Sequence, residues 1–261
     1  MNQIRMITCL GENTVPICTE LAKALSERLK IEFLFEPVAE STPAAERLAR
    51  GEVQMGWICG LLYVEKVDRE KAPLNLLVAP VFTDTNEPIY TSHLIVPAGS
   101  SAKSLEDLRG KTHAINEFTS WSGNHLMRSY LFDKGLTADF FSEIIVSGAH
   151  SKSIRMVAEQ GADSAAIDHG VFDFVADTQP ELTKGIRVIG QIGPSPSPPF
   201  VIHQSVPQTL QDDIRQAMLD LGQSESFKKL VKPHRLKKFA PIKDADYQPI
   251  RTGYENSLAL L

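Results

Sequence analysis

Three hydroxyl residues, Thr119, Ser120 and Ser122, stand just ahead of Gly123 in the stretch Asn116-Glu-Phe-Thr-Ser-Trp-Ser-Gly-Asn124. The stretch follows a predicted strand, Lys111–Ile115, and opens a predicted helix, Ser122–Lys134. Hydroxyls beside unpaired N–H groups at the positive end of a helix form a site for an anion. Gly123 would let a ligand approach the backbone. Ser122 as a plain helix cap explains the same residues equally well. A second strand-to-helix junction, Ser147-Gly-Ala-His150-Ser-Lys-Ser-Ile, puts His150 near a helix start. There its imidazole can donate to an anion, or serve as a surface or capping histidine.

Enzyme signatures are missing. The chain has no G-x-S-x-G, no H-E-x-x-H, no P-loop and no G-x-G-x-x-G. Its 7 histidines show no i, i+4 pairing. Ser122, His150 and Asp168 have the residue types of a hydrolytic triad, but nothing in the sequence brings them together. Cys9, Cys18 and Cys59 form no CxxC pair and are expected to be buried free thiols. No cluster has the spacing of a metal site, so no metal or organic cofactor is expected. The aromatics Trp57, Tyr63, Tyr90 and Trp121 would suit a cleft holding an apolar or planar ligand body. Trp57 and Tyr63 also suit the core.

These residues are carried by a nearly regular alternation of strands and helices. Predicted strands are Ile4–Cys9, Ile31–Phe35, Val53–Ile58, Leu74–Phe82, Thr91–Pro97, Lys111–Ile115, Glu143–Val146, Asp163–Ile167, Ile186–Ile192 and Val201–His203. Apolar spacing predicts helices over Val15–Leu29, Ala44–Arg50, Ser122–Lys134, His150–Gln160, Pro207–Leu221 and Ser226–Val231. A short helix with a Ser cap and a terminating Gly covers Ser104–Gly110, and a further helix runs to about Ala176. Strands separated by helices imply βα units and largely parallel sheets. The pattern breaks near residues 84–90 and again at Gly193-Pro-Ser-Pro-Ser-Pro-Pro-Phe200, where four prolines exclude a helix or a central strand. Two breaks around a middle segment of domain size predict two lobes, 1–88 plus 195–261 and 89–194. Two hinge crossings join them, and a ligand cleft lies between.

The chain has 261 residues, 43% apolar and 23% charged, with a net charge of -5. That balance excludes disordered and fibrous classes. The mild acidity argues against nucleic-acid binding, and no apolar run is long enough for a membrane span. No signal segment is visible. A periplasmic or cell-envelope location is expected if one was removed, and a cytoplasmic one otherwise.

Four pieces in one order carry a resemblance: Glu52-Val-Gln-Met-Gly-Trp-Ile-Cys-Gly60, Ser120-Trp-Ser-Gly123, Phe140-Phe-Ser-Glu-Ile-Ile-Val-Ser-Gly-Ala-His150 and Asp244-Ala-Asp-Tyr-Gln-Pro-Ile-Arg251. Together they resemble the phosphonate/phosphite/phosphate-binding components of ABC importers. The resemblance covers roughly residues 4–251. It implies an α/β fold of the type II periplasmic-binding-protein kind, each lobe a mixed, mainly parallel sheet flanked by helices. It also implies a non-enzymatic solute-binding protein that captures a small anionic, phosphonate-like ligand by lobe closure, with an ABC permease as partner; nothing in the sequence demands an oligomer, so a monomer is expected. The family's hydroxyl-rich anion stretch falls on Ser120, Trp121, Ser122 and Gly123, where Trp121 replaces a threonine. Its histidine falls on His150 and a binding tyrosine on Tyr90. A second tyrosine falls near Ser41 or Thr42, where no aromatic stands. Of the two acids that hold a ligand amine, one lies near Asp168 and the other falls in the proline segment. An enzyme on the same fold, with Cys59 its only reactive candidate, and a ligand-sensing protein are the alternatives.

Overall fold

The computed structural model describes residues 1–37, 41–232 and 235–260, with the side chains of Ser41, Thr42 and Leu230 left aside. The chain divides into two compact units. One comprises Met1–Ile89 and Pro196–Gln248, the other Tyr90–Ser195 and Pro249–Leu261.

The first unit opens with β1 (Gln3–Thr8), α1 (Val15–Leu29), β2 (Glu32–Pro37), α2 (Ser41–Ala49), β3 (Met55–Trp57), α3 (Gly60–Val64) and β4 (Leu74–Phe82). The chain then builds β5 (Ile89–Pro97), β6 (Thr112–Ile115), a wide π-type turn at Trp121–His125, α4 (Leu126–Asp133) and β7 (Glu143–Val146). It continues through α5 (His150–Ala158), β8 (Ser164–Asp168), α6 (His169–Thr178), α7 (Pro180–Thr183) and β9 (Ile186–Pro196). On returning to the first unit it adds β10 (Phe200–His203), α8 (Gln208–Leu221), α9 (Glu225–Val231) and β11 (Leu236–Pro241), and it ends in α10 (Gln248–Leu258).

The first unit's sheet has the order β11-β4-β10-β3-β1-β2. β1 runs parallel to β2 and β3, while β10 is antiparallel to β3 and β4. α1 buries Ile17, Cys18, Leu21, Ala22 and Leu25, the stripe its 3.6-residue apolar period dictates. Cys18 lies in that stripe, and burial pushes its thiol pKa far up. Cys9 is buried as well, while Cys59 is only partly covered, and none of the three forms a disulfide among the described residues. Trp57 stacks on Phe200 at 4.7 Å and donates its indole N–H to the Pro198 carbonyl at 3.0 Å. Tyr63 donates its hydroxyl to Asp244 Oδ1 at 2.8 Å. Both aromatics are buried core residues, not the cleft lining that was one reading of them.

The second unit's sheet has the order β7-β6-β8-β5-β9. β6 lies parallel to both β7 and β8, and β5 is antiparallel to β8. β9 carries part of the proline segment, as an edge strand can. Between β9 and β10, Pro198 and Pro199 stay outside regular structure.

The tail departs from expectation. The sequence pattern predicts 195–261 in one lobe, but the chain passes to the second unit once more after Gln248. α10 buries Ile250, Gly253, Tyr254 and Ser257. His125 Nδ1 lies 2.8 Å from Ser257 Oγ, and Arg128 donates to the Leu260 carbonyl at 2.9 Å. These contacts hold α10 on the second unit, against the π-turn and α4. Among the described residues no helix is long and apolar enough to cross a membrane.

Candidate anion-binding site

In the second unit the carboxyl ends of the parallel strands β6, β7 and β8 each lead toward a helix start. That is where ligands of open α/β sheets bind. The three starts differ in how they are capped. Asp168, ending β8, accepts the N–H groups of Gly170 and Val171 with Oδ1, at 2.8 and 3.3 Å. The positive end of α6 therefore already faces a carboxylate. Ala149, before α5, offers no side-chain cap.

At the start of the π-turn, Ser120 Oγ accepts the Gly123 N–H at 3.2 Å, and the Ser120 carbonyl accepts the His125 N–H at 3.1 Å. The wide turn leaves the Trp121 and Ser122 N–H groups without a protein acceptor among the described residues. Such orphan donors at a helix start are the groups that hold an anion. The cap is thus Ser120, and Ser122 is not needed for it. Ser122 Oγ lies 3.0 Å from His150 Nε2, which brings the two sequence-predicted junctions together. Ser92 of β5 donates to the Ser122 carbonyl at 3.0 Å and fixes the turn against the sheet.

His150 is held mostly neutral. Burial pushes its pKa down, while the carboxylates of Asp168 and Glu117 act against that shift. Its Nδ1 is enclosed and has no hydrogen-bond partner among the described residues. A hydrolytic triad requires a carboxylate on that nitrogen to orient the ring. Asp168 is instead engaged in capping α6, so the Ser122–His150 pair lacks the third member.

The other sequence-predicted residues fare differently. The Trp121 side chain does not line the site. It is 2% exposed, donates its N–H to Ser195 Oγ at 2.9 Å, and its six-membered ring abuts Gly253 of α10. Tyr90 is buried in β5, with its ring centroid 6.1 Å from that of His169. Ser41 and Thr42 open α2, and their side chains lie outside the described residues. Gly123 is needed for a different reason than ligand approach. A Cβ there would stand 1.9 Å from Asn116 Oδ1 and 2.9 Å from His150 Cε1, so the glycine makes room for two neighbouring side chains. Asn116, a polar residue directly after the parallel strand β6, is not marked by the sequence motifs yet packs over this glycine. Among the described residues, no group of three or more His, Cys, Asp or Glu side chains could hold a metal.

A family model described as the periplasmic phosphonate substrate-binding protein of ABC transporters matches residues 11–247. The phosphonates-binding periplasmic protein of Escherichia coli is 24% identical over 247 residues, covering 92% of this chain and 71% of the relative. The fold is shared with a binding protein component of an ABC phosphonate transporter from Pseudomonas aeruginosa (TM-score 0.85, 19% identity, 99% of this chain and 89% of that one). It is shared equally with PhnD1 from Prochlorococcus marinus in complex with methylphosphonate (TM-score 0.85, 16% identity, 100% and 99%).

Proposed function

Because the chain belongs to the periplasmic phosphonate substrate-binding family of ABC transporters, we propose that its π-turn holds the phosphonate group of the ligand. As a member of that family the protein is a binding component and not an enzyme, acting in the periplasm with an ABC permease. In the proposed site Ser120, Ser122 and the open N–H groups of Trp121 and Ser122 face the oxyanion, and His150 sets the direction of the Ser122 hydroxyl. A neutral His150 protonated on Nε2 donates to Ser122 Oγ and leaves the serine proton for the ligand. The observation that carries this reading is the pairing of Ser122 with His150 at 3.0 Å beside uncapped helix N–H groups.

Calorimetric titration with methylphosphonate tests it. A hydrogen bond to a charged group contributes about 1.5–3 kcal/mol, so Ser122→Ala should weaken binding about tenfold or more. Because Ser120 supplies the cap, the variant should melt close to wild type. Unchanged affinity for methylphosphonate in Ser122→Ala would sink the assignment.

A further inference from the structure

Asn116 follows β6 directly, and its backbone is pinned on both sides. The Ile115 carbonyl accepts the Ser147 N–H at 2.8 Å, and the Asn116 carbonyl accepts the Gly148 N–H at 2.9 Å. Its side chain is held just as closely. The carboxamide lies over the Cα of Gly123, with Oδ1 at 1.9 Å and Cγ at 3.0 Å from the place a Cβ would occupy. That same place is 2.9 Å from His150 Cε1, so carboxamide and imidazole crowd one spot at the start of the π-turn.

The two ends of the carboxamide meet different surroundings. Oδ1 is enclosed and has no donor among the described residues. Nδ2 makes no hydrogen bond to the described residues either, yet it is not among the enclosed atoms. With the oxygen packed inward, the nitrogen is the end that solvent reaches. An enclosed, unsatisfied amide oxygen is costly. With that oxygen held over Gly123, the other end of the carboxamide leaves open a pair of N–H donors at the start of the π-turn. A neutral amide adds donors to an anion site without adding charge. It thereby complements the serine hydroxyls and the open backbone N–H groups.

We propose that Asn116 is a ligand-contacting residue that donates from Nδ2 to the bound oxyanion, in a seat that exists because residue 123 is glycine. The proposal rests on the reading of the π-turn as the phosphonate site. An aspartate at this position would keep the shape and oppose the ligand's charge.

The experiment is methylphosphonate titration of the full chain as wild type, Ser122→Ala, Asn116→Ala and Asn116→Asp, each checked for an unchanged melting transition. Loss of one hydrogen bond to an anion should weaken Asn116→Ala about tenfold. Asn116→Asp, with a carboxylate facing the ligand, should lose roughly a hundredfold at pH 8. Protonation turns that carboxyl into a neutral donor, so the ratio of wild-type to Asn116→Asp affinity should shrink to about tenfold or less at pH 5. A merely structural asparagine would not produce that pH-dependent recovery. If Ser122→Ala loses affinity while both Asn116 variants bind like wild type, the proposal is overturned and the phosphonate site stands. If Ser122→Ala also binds like wild type, the site reading falls and takes the proposal with it.

Discussion

Replacing His113 by phenylalanine should make the second unit markedly less sensitive to acid. His113 lies in β6, 1% exposed, with its ring stacked on Phe141 at 4.3 Å and an interplanar angle of 14°. Ser164 Oγ donates to the Thr112 carbonyl at 3.2 Å. It therefore accepts from His113 Nδ1, 2.9 Å away. That leaves Nε2 bare, enclosed and without a partner among the described residues, beside a cavity of about 20 Å³ that Arg128 also lines. Burial, assisted by the Arg128 charge, brings the His113 pKa from 6.5 to about 3. In the unfolded chain the ring takes up a proton below about pH 6.5, whereas the folded ring stays neutral down to about 3. Stability is therefore complete above the unfolded value and is lost as pH falls between the two. One pH unit within that window costs about 1.4 kcal/mol, so the group removes about 2 kcal/mol between pH 7 and pH 5. His113→Phe keeps the stacked ring and discards the titration. The assay is urea unfolding at both pH values, followed by Trp121 emission in a Trp57→Phe background, because Trp57 lies in the other unit. The stability difference between His113→Phe and its parent should move by about 2 kcal/mol in favour of the variant on going to pH 5. A difference that stays constant with pH would refute the reasoning.

Gly253→Val should destabilise the second unit by about 1–3 kcal/mol through overpacking. A Cβ there meets Trp121 Cη2 at 2.6 Å and Ser129 Oγ at 2.9 Å, and calorimetric melting checks the loss. Asp168→Asn should change stability by less than about 1 kcal/mol, since asparagine caps as well as aspartate. It should also leave methylphosphonate affinity undiminished, because the native carboxylate serves α6 and opposes an anion. A tenfold loss in titration would instead make Asp168 a ligand contact.

The sequence determined most of the alternation of strands and helices, because periodic apolar residues and Gly or Pro stops act locally. Val15–Leu29 and Leu74–Phe82 match the observed α1 and β4 end for end. It missed elements whose buried positions hold residues that do not look buried. α10 packs Gly253 and Ser257 inward at helical spacing, so its period is invisible to hydropathy. β11 buries Leu236 and Phe239 around a Lys-Lys pair. The third passage between units follows from α10 and was hidden with it. At the site, residue types and a strand-to-helix order marked Ser120, Ser122 and His150. Only the parallel pairing of β6 with β7 decided that residues 122 and 150 meet, since side chains 28 positions apart are brought together by strand register and not by local propensity. Packing likewise decided that Trp121 faces α10 and that Gly123 seats Asn116. Both depend on which surface lies opposite, and one chain segment read alone carries no information about its neighbours in space.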